Sequence, residues 1–320
     1  MASLVESLCN RLQTAAGHAA PFPETHVPVA RTDAPVAVTR PGANGIAPRA
    51  GTLPTDMIKQ VLDQRDRTPE AARVGKAGYL HVSSLIDLCA RMQVLAVRHN
   101  IDIRNQVTGG HRVMWKIGRA VERHVRDQFI AGMEYRGVYG RWLCVCGRTE
   151  RTGHHDDRLT CPTCKGKLDR YGEVALFDHE NGIVGNPDLL FRHGAPFVIT
   201  EVKSMTGEMF KDLSSPLGDH VFQASLYHHL GTVNNHPVHD EVVILYTNKQ
   251  FKFGSPYKEY HVDVTTPALR QQVADAVGMA RGIKEALANG VLPPREACSN
   301  QDCTRAKNCA AAVVCWSLPA

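Results

Sequence analysis

"GNPDLLFRHGAPFVITEVKS", residues 185–204, sets two apolar runs on either side of Arg192-His193-Gly194 and places charged residues inside them. Short apolar runs bounded by Gly and Pro read as strands, and the tripeptide between them reads as the turn of an antiparallel hairpin. Side chains alternate across a strand, so Glu201 and Lys203 point to one face. A turn near Gly194 then brings Asp188 opposite Thr200 or Glu201, within reach of the same spot. Two carboxylates and an ammonium in a core cost on the order of several kcal/mol unless something offsets them. A divalent cation does so: Mg2+ takes one or two carboxylates, waters and substrate phosphate. It polarises a phosphorus centre while a neighbouring lysine orients or deprotonates the attacking water. The trio therefore points to phosphodiester chemistry.

Around the hairpin the pattern is that of an α/β chain. "HVSSLIDLCARMQVLAVRHN" reads as one helix capped by Ser83 or Ser84, which makes Cys89 a helix residue. After Gly109-Gly110, Val113, Ile117, Val121, Val125 and Phe129 recur every four positions as a core-facing stripe, with Glu122 and His124 on its flanks. "DEVVILYTN" and "KEYHVDV" read as a further strand pair, and "LGDHVFQASLYHHLG" as a helix between the two pairs. Thr265-Thr266-Pro267 opens a long helix that runs to Gly290. Residues 1–17 have the spacing of a short helix. Residues 18 to about 54, rich in Pro, Ala, Gly and Thr, carry no apolar period, so 1–75 is expected to be a disordered or weakly structured tail and 76–320 the folded domain.

These elements resemble the PD-(D/E)XK nuclease superfamily in its RecB-like branch. Pro187, Asp188, Glu201 and Lys203 match the pattern for which the superfamily is named. Gln223 and Tyr227 stand where the branch has Gln-x-x-x-Tyr, and Gly118 with Glu122 resembles its Gly-x-x-x-(His/Glu) element. His124 is the alternative to Glu122. The resemblance spans residues 83–316. It implies a restriction-endonuclease-like core with a mixed central sheet flanked by helices, and a Mg2+- or Mn2+-dependent DNA exonuclease of recombination, repair or phage DNA processing. In that reading Glu122, Asp188, Glu201 and the Val202 carbonyl hold the metal. Lys203 acts as base or orients water, and Gln223 and Tyr227 position the cleaved strand. A catalytically silent DNA-binding or partner-docking module on the same fold is the alternative.

Ten cysteines without a secretory signal point to metal or cluster ligation rather than disulfides. "CPTCKG" is a zinc-knuckle pattern, and with "CVCG" it makes a somewhat irregular zinc ribbon of Cys144, Cys146, Cys161 and Cys164, inserted at 140–170. His154 or His155 could replace one thiol, although solvated loop histidines are the commoner case. The resemblance extends to RecB-like iron-sulfur exonucleases, among them the CRISPR-associated family, which hold a [4Fe-4S] cluster on one upstream and three C-terminal cysteines. Here it implies Cys89, Cys298, Cys309 and Cys315, with Cys303 as spare or alternate ligand, in a clip spanning 295–316. The spacing departs from the family's, and a zinc site on the same residues is the rival.

The net charge of +5 permits an anionic partner such as DNA without demanding one. Arg98, Arg104, Arg112, Lys116, Arg119, Arg123 and Arg126 form a local basic excess that could follow a phosphate backbone or simply a solvated helix face. No apolar run reaches membrane-spanning length, so the expected partners are DNA and a recombination or repair protein, in the cytoplasm.

Overall fold

The computed structural model of the protein describes residues 79–101, 109–192, 196–250 and 255–319. The tail expected at 1–75, with the short helix expected at 1–17 and Cys9, the turn expected at Gly194, Arg104 and the side chain of Arg112 lie outside the described residues.

The hairpin forms as its alternation requires. Strand β7 (Leu189–Phe191) pairs antiparallel with β8 (Val198–Met205), with Leu189 opposite Thr200. The apolar run that precedes it is not one strand. Its first half, β6 (Ile183–Gly185), belongs to a separate small sheet with β1 (Leu80–His81) and β5 (Leu176–Asp178), in the order β1-β6-β5. Asn186-Pro187 makes the break, because proline lacks an amide proton for a ladder bond and fixes φ.

β8 lies within a mixed central sheet. On one side it runs parallel to β9 (Glu241–Asn248), which pairs antiparallel with β10 (Tyr257–Asp263). On the other side β7 is followed by β2 (Val138–Leu143), which also pairs with β3 (Glu150–His154) and β4 (Arg170–Gly172). A parallel β8–β9 pair needs a crossover. Helices α4 (Gly207–Asp212) and α5 (Gly218–Val233) supply it. Ile199, Met205, Ile244 and Tyr246 face α5 and share a core with its Ala224, Leu226, Tyr227 and Leu230. Val202 and Leu245 face the other way, onto Val125 of α3 (Gly109–Gly132). Each large side chain so buried contributes about 1.5–3 kcal/mol.

Three sequence expectations are corrected. The helix expected through Cys89 is two: α1 (Val82–Leu85) and α2 (Ala90–Arg98), with Cys89 in extended conformation as the N-cap of the second. Neither Ser83 nor Ser84 caps the first. His81 does, its Nδ1 accepting from the Ser83 amide. The interruption has a tertiary cause: Arg305 donates to the carbonyls of Asp87 and Leu88. The stripe on α3 faces the core only in its second half, where Val125 is buried, whereas Val113 and Ile117 are exposed. The basic excess is also divided. Arg98 bonds the carbonyls of Ala286 and Val291 at the end of α6 (Pro267–Ala288), and Arg126 is buried, while Arg119 and Arg123 are exposed. Helix α6 starts on Thr266 and Pro267 as expected.

Candidate active site and metal centres

The register that opposes Leu189 to Thr200 puts Asp188 beside Glu201. Asp188 Oδ2 accepts the Val202 amide at 2.8 Å, so the backbone of β8 holds the carboxylate in place. Lys203 Nζ donates to Glu201 Oε1 at 2.5 Å. Glu201 is 3% exposed, and its second oxygen, Oε2, is buried without a hydrogen-bond partner. Burial raises the pKa of Asp188 well above the ordinary carboxylate range, and the charges of Glu201 and Glu173 add to the effect. Burial also raises Glu201, although Lys203 opposes it. At Lys203 burial works against the ammonium, but Glu201 outweighs it and the pKa rises.

Helix α3 approaches from the opposite face of the sheet. Glu122 Oε1 accepts both the amide (3.0 Å) and the hydroxyl (2.8 Å) of Ser204, the residue after Lys203. The close approach depends on Gly118, where a Cβ would stand 3.0 Å from Ser204 Oγ. Glu122 thus lies near the trio and contributes to the fields at Glu201 and Lys203. His124, the alternative, is exposed. On α5, Gln223 Nε2 donates to Tyr227 Oη at 2.9 Å, one turn apart. Both are buried, and burial followed by the Glu201 charge keeps the Tyr227 phenol protonated.

Two neighbours escaped the sequence reading. Glu173, between β4 and β5, acts on Asp188, Glu201 and Tyr227 through its charge and accepts from Arg126 Nη1 at 2.5 Å. It sits in a short irregular link with no periodicity to mark it. His220, in the first turn of α5, pairs through Nδ1 with Tyr246 Oη at 2.8 Å. Burial, then the Lys203 charge, pushes its pKa down to about 4, so the ring is neutral at physiological pH. Its spacing of three before Gln223 was the available signal.

In the ribbon, the Sγ atoms of Cys144, Cys146, Cys161 and Cys164 all lie within 4.8 Å of one another, a group that could hold a metal ion. Two turns present them: the Gly147 amide bonds the Cys144 carbonyl, and the Lys165 amide bonds the Cys161 carbonyl. Thr149 Oγ1 stands 3.2 Å from Cys161 Sγ, and this contact leads those that pull the thiol down to about 5. The spacing and softness of four such thiols suit tetrahedral zinc. Neither histidine takes part. His154 stacks on Phe197, and His155 on Tyr135.

At the C-terminal end, Cys89, Cys298, Cys309 and Cys315 line one cavity together with Arg91, Arg295 and Trp316. Cys303 does not line it. It caps the short helix α7 (Thr304–Lys307), its Sγ accepting the Ala306 amide at 3.4 Å, and it also bonds Cys298. Among the described residues the ribbon thiols are the one group of three or more Cys, His, Asp or Glu side chains close enough together to share a single ion; neither the C-terminal cysteines nor Glu122, Asp188 and Glu201 together are gathered so tightly.

Among the described residues no helix is long and apolar enough to cross a membrane. No protein-family model matches the sequence, and no curated protein matches it. Among solved structures the chain is similar to SSO0001, at 14% identity and a TM-score of 0.40 over 81% of this chain and 96% of that one. It is also similar to the alkaline exonuclease LHK-Exo from Laribacter hongkongensis, at 14% identity and a TM-score of 0.36 over 67% of this chain and 93% of that one. LHK-Exo in complex with dAMP gives 14% identity and 0.38 over 66% and 91%. At such values the likeness assigns no function to this chain.

Proposed function

We propose that the protein is a Mg2+- or Mn2+-dependent deoxyribonuclease of the PD-(D/E)XK type, an exonuclease of the RecB-like branch, with metal–thiolate groups in structural roles. One observation carries the reading: a buried carboxylate oxygen, Glu201 Oε2, with no partner, beside a second carboxylate and a lysine. A fold gains nothing from such an orphan, since leaving a buried charged acceptor unsatisfied costs about 1–3 kcal/mol or more. A hard divalent cation fits the donor set. Asp188 and Glu201 would hold it, with the Val202 carbonyl and Glu122 as further candidates. When bound, it supplies Lewis-acid polarisation of the scissile phosphate and acidifies a water.

The chain's own groups do the rest. Lys203, held as an ammonium by Glu201, orients the attacking water and offsets charge at phosphorus. The Tyr227 hydroxyl, which accepts from Gln223, keeps its own proton for a substrate oxygen, and the pair positions the strand. DNA is the proposed partner, met through exposed Arg119 and Arg123, and the proposed setting is recombination, repair or phage DNA processing, alongside a protein partner of that pathway. Cys144, Cys146, Cys161 and Cys164 hold zinc. Cys89, Cys298, Cys309 and Cys315 hold a [4Fe-4S] cluster, a reading supported by the four thiols lining one cavity.

The test is to purify the protein anaerobically beside Glu201→Ala and incubate both with end-labelled single- and double-stranded DNA, with and without Mg2+ or Mn2+. Metal-dependent shortening by the wild type alone is expected. Tight binding without cleavage by either protein, with both metal–thiolate groups intact, would replace the nuclease with a silent DNA-binding module.

A further inference from the structure

The cavity lined by Cys89, Cys298, Cys309 and Cys315 also contains two guanidinium groups that nothing in the proposed reaction uses. Arg91 is 2% exposed. Its Nη1 donates to the Pro293 carbonyl at 2.8 Å, and its Nη2 to the Pro319 carbonyl. Arg295 Nη2 donates to the carbonyls of Cys315 and Leu318, each at 2.7 Å, and its guanidinium lies 4.1 Å from the centre of the Trp316 ring. The hydrogen-bond partners of both are neutral carbonyls, and among the described residues neither arginine is paired with a carboxylate. The Nε atoms of both are buried without a partner. Arginine does not deprotonate in proteins. The cavity therefore carries two positive charges with no carboxylate paired to them among the described residues, and burying unpaired charge is costly.

Four thiolates around a cubane in its oxidised state leave about two negative charges on the whole group, which two guanidiniums match. We propose that Arg91 and Arg295 are the built-in counter-ions of an anionic metal–thiolate cluster in this cavity, and that they set its reduction potential. The proposal rests on the cluster reading above and goes beyond it, because a tail clamp alone would need only the carbonyl bonds. A positive charge beside the cluster favours the added electron, so removing one makes reduction harder.

The experiment is anaerobic redox titration, with iron and sulfide analysis, of the full-length wild type, Arg91→Met, Arg295→Met and the two charge-keeping variants Arg91→Lys and Arg295→Lys. In each Met variant the oxidised-to-reduced ratio at fixed potential should rise about tenfold, a shift to more negative potential of about 59 mV for one electron. The Lys variants should stay near wild type. If Arg91→Met does not fold, Arg295→Met, at the less buried position, carries the test. Met variants that lose iron but keep the wild-type potential in the occupied fraction would make the arginines a clamp only and overturn the proposal. A wild type without iron and sulfide would remove the cluster itself, a failure distinct from unchanged potentials in loaded variants.

Discussion

Gly185 is the point where the small sheet touches the helix that carries Gln223 and Tyr227, and Gly185→Ala is expected to damage both fold and site. A Cβ there would stand 2.7 Å from Tyr227 Cε1, 2.8 Å from Leu230 Cδ1 and 2.8 Å from Val82 Cγ2. All three neighbours are at most 2% exposed and come from two elements, α5 and α1, so none has room to withdraw. Overpacking of this kind costs about 1–3 kcal/mol. Gly185 does not adopt a positive φ, so alanine also restricts the unfolded chain and returns about 0.4–1 kcal/mol. The net expectation is a loss of about 1–2 kcal/mol, read from urea denaturation at unchanged m-value. Because the ring of Tyr227 is the nearest obstacle, its 2.9 Å bond with Gln223 should lengthen, and DNA cleavage should fall at temperatures where the protein is still folded. Adding Val82→Ala should recover part of the loss as a favourable coupling of about 0.5–1 kcal/mol in a double-mutant cycle. A Gly185→Ala protein as stable as wild type, with no coupling to Val82, would refute the packing argument.

Two further outcomes follow from the charge and metal chemistry. In chelator-treated protein, Asp188 and Glu201 hold protons more tightly folded than unfolded. Their stabilising contribution is therefore fullest below the ordinary carboxylate value of about 4 and is lost as pH rises through the raised folded values. The melting temperature should fall over that window, and Asp188→Asn, which still accepts the Val202 amide, should flatten the slope; equal slopes in the two proteins would sink the assignment. For the ribbon, a structural zinc on four thiolates is worth about 10 kcal/mol of apparent binding energy. Stripping it, or changing Cys161 to Ser, should expose Trp142, which is 1% exposed and packs with Cys144 and Cys161, and so red-shift its fluorescence. Emission that does not respond to chelation would count against the zinc assignment.

The hairpin was legible because its information is local: alternation puts Glu201 and Lys203 on one face, and the antiparallel pairing of β7 with β8 puts Asp188 across from them. The helix of Gln223 and Tyr227 was equally plain, as was the Thr266-Pro267 start of α6. What failed depended on distant partners. The expected helix through Leu85, Leu88 and Val94 continues through Cys89, but the helix breaks where Arg305, more than two hundred residues away, takes the carbonyls of Asp87 and Leu88. The α3 stripe is periodic along its whole length, yet period alone does not say how far a helix overlaps the sheet beneath it. Glu173 has no periodic signature, and only folding brings it near Asp188.

The ribbon shares its framework with the sheet that carries Asp188, Glu201 and Lys203. β2, which leads into Cys144, also pairs with β7 at Val138 and Tyr139, just beyond Asp188 in the hairpin. From β4, Tyr171 Oη donates to the carbonyl of Asp188 at 3.2 Å, and Arg141 Nε donates to that of Glu173 at 2.9 Å. The lobe is consequently not a cassette. Excising residues 144–167 would remove β3 and the four thiols while leaving β2 paired with β4 at Leu143 and Arg170, so a minimal version of this fold must keep that pairing, with Tyr171 and Arg141, in place.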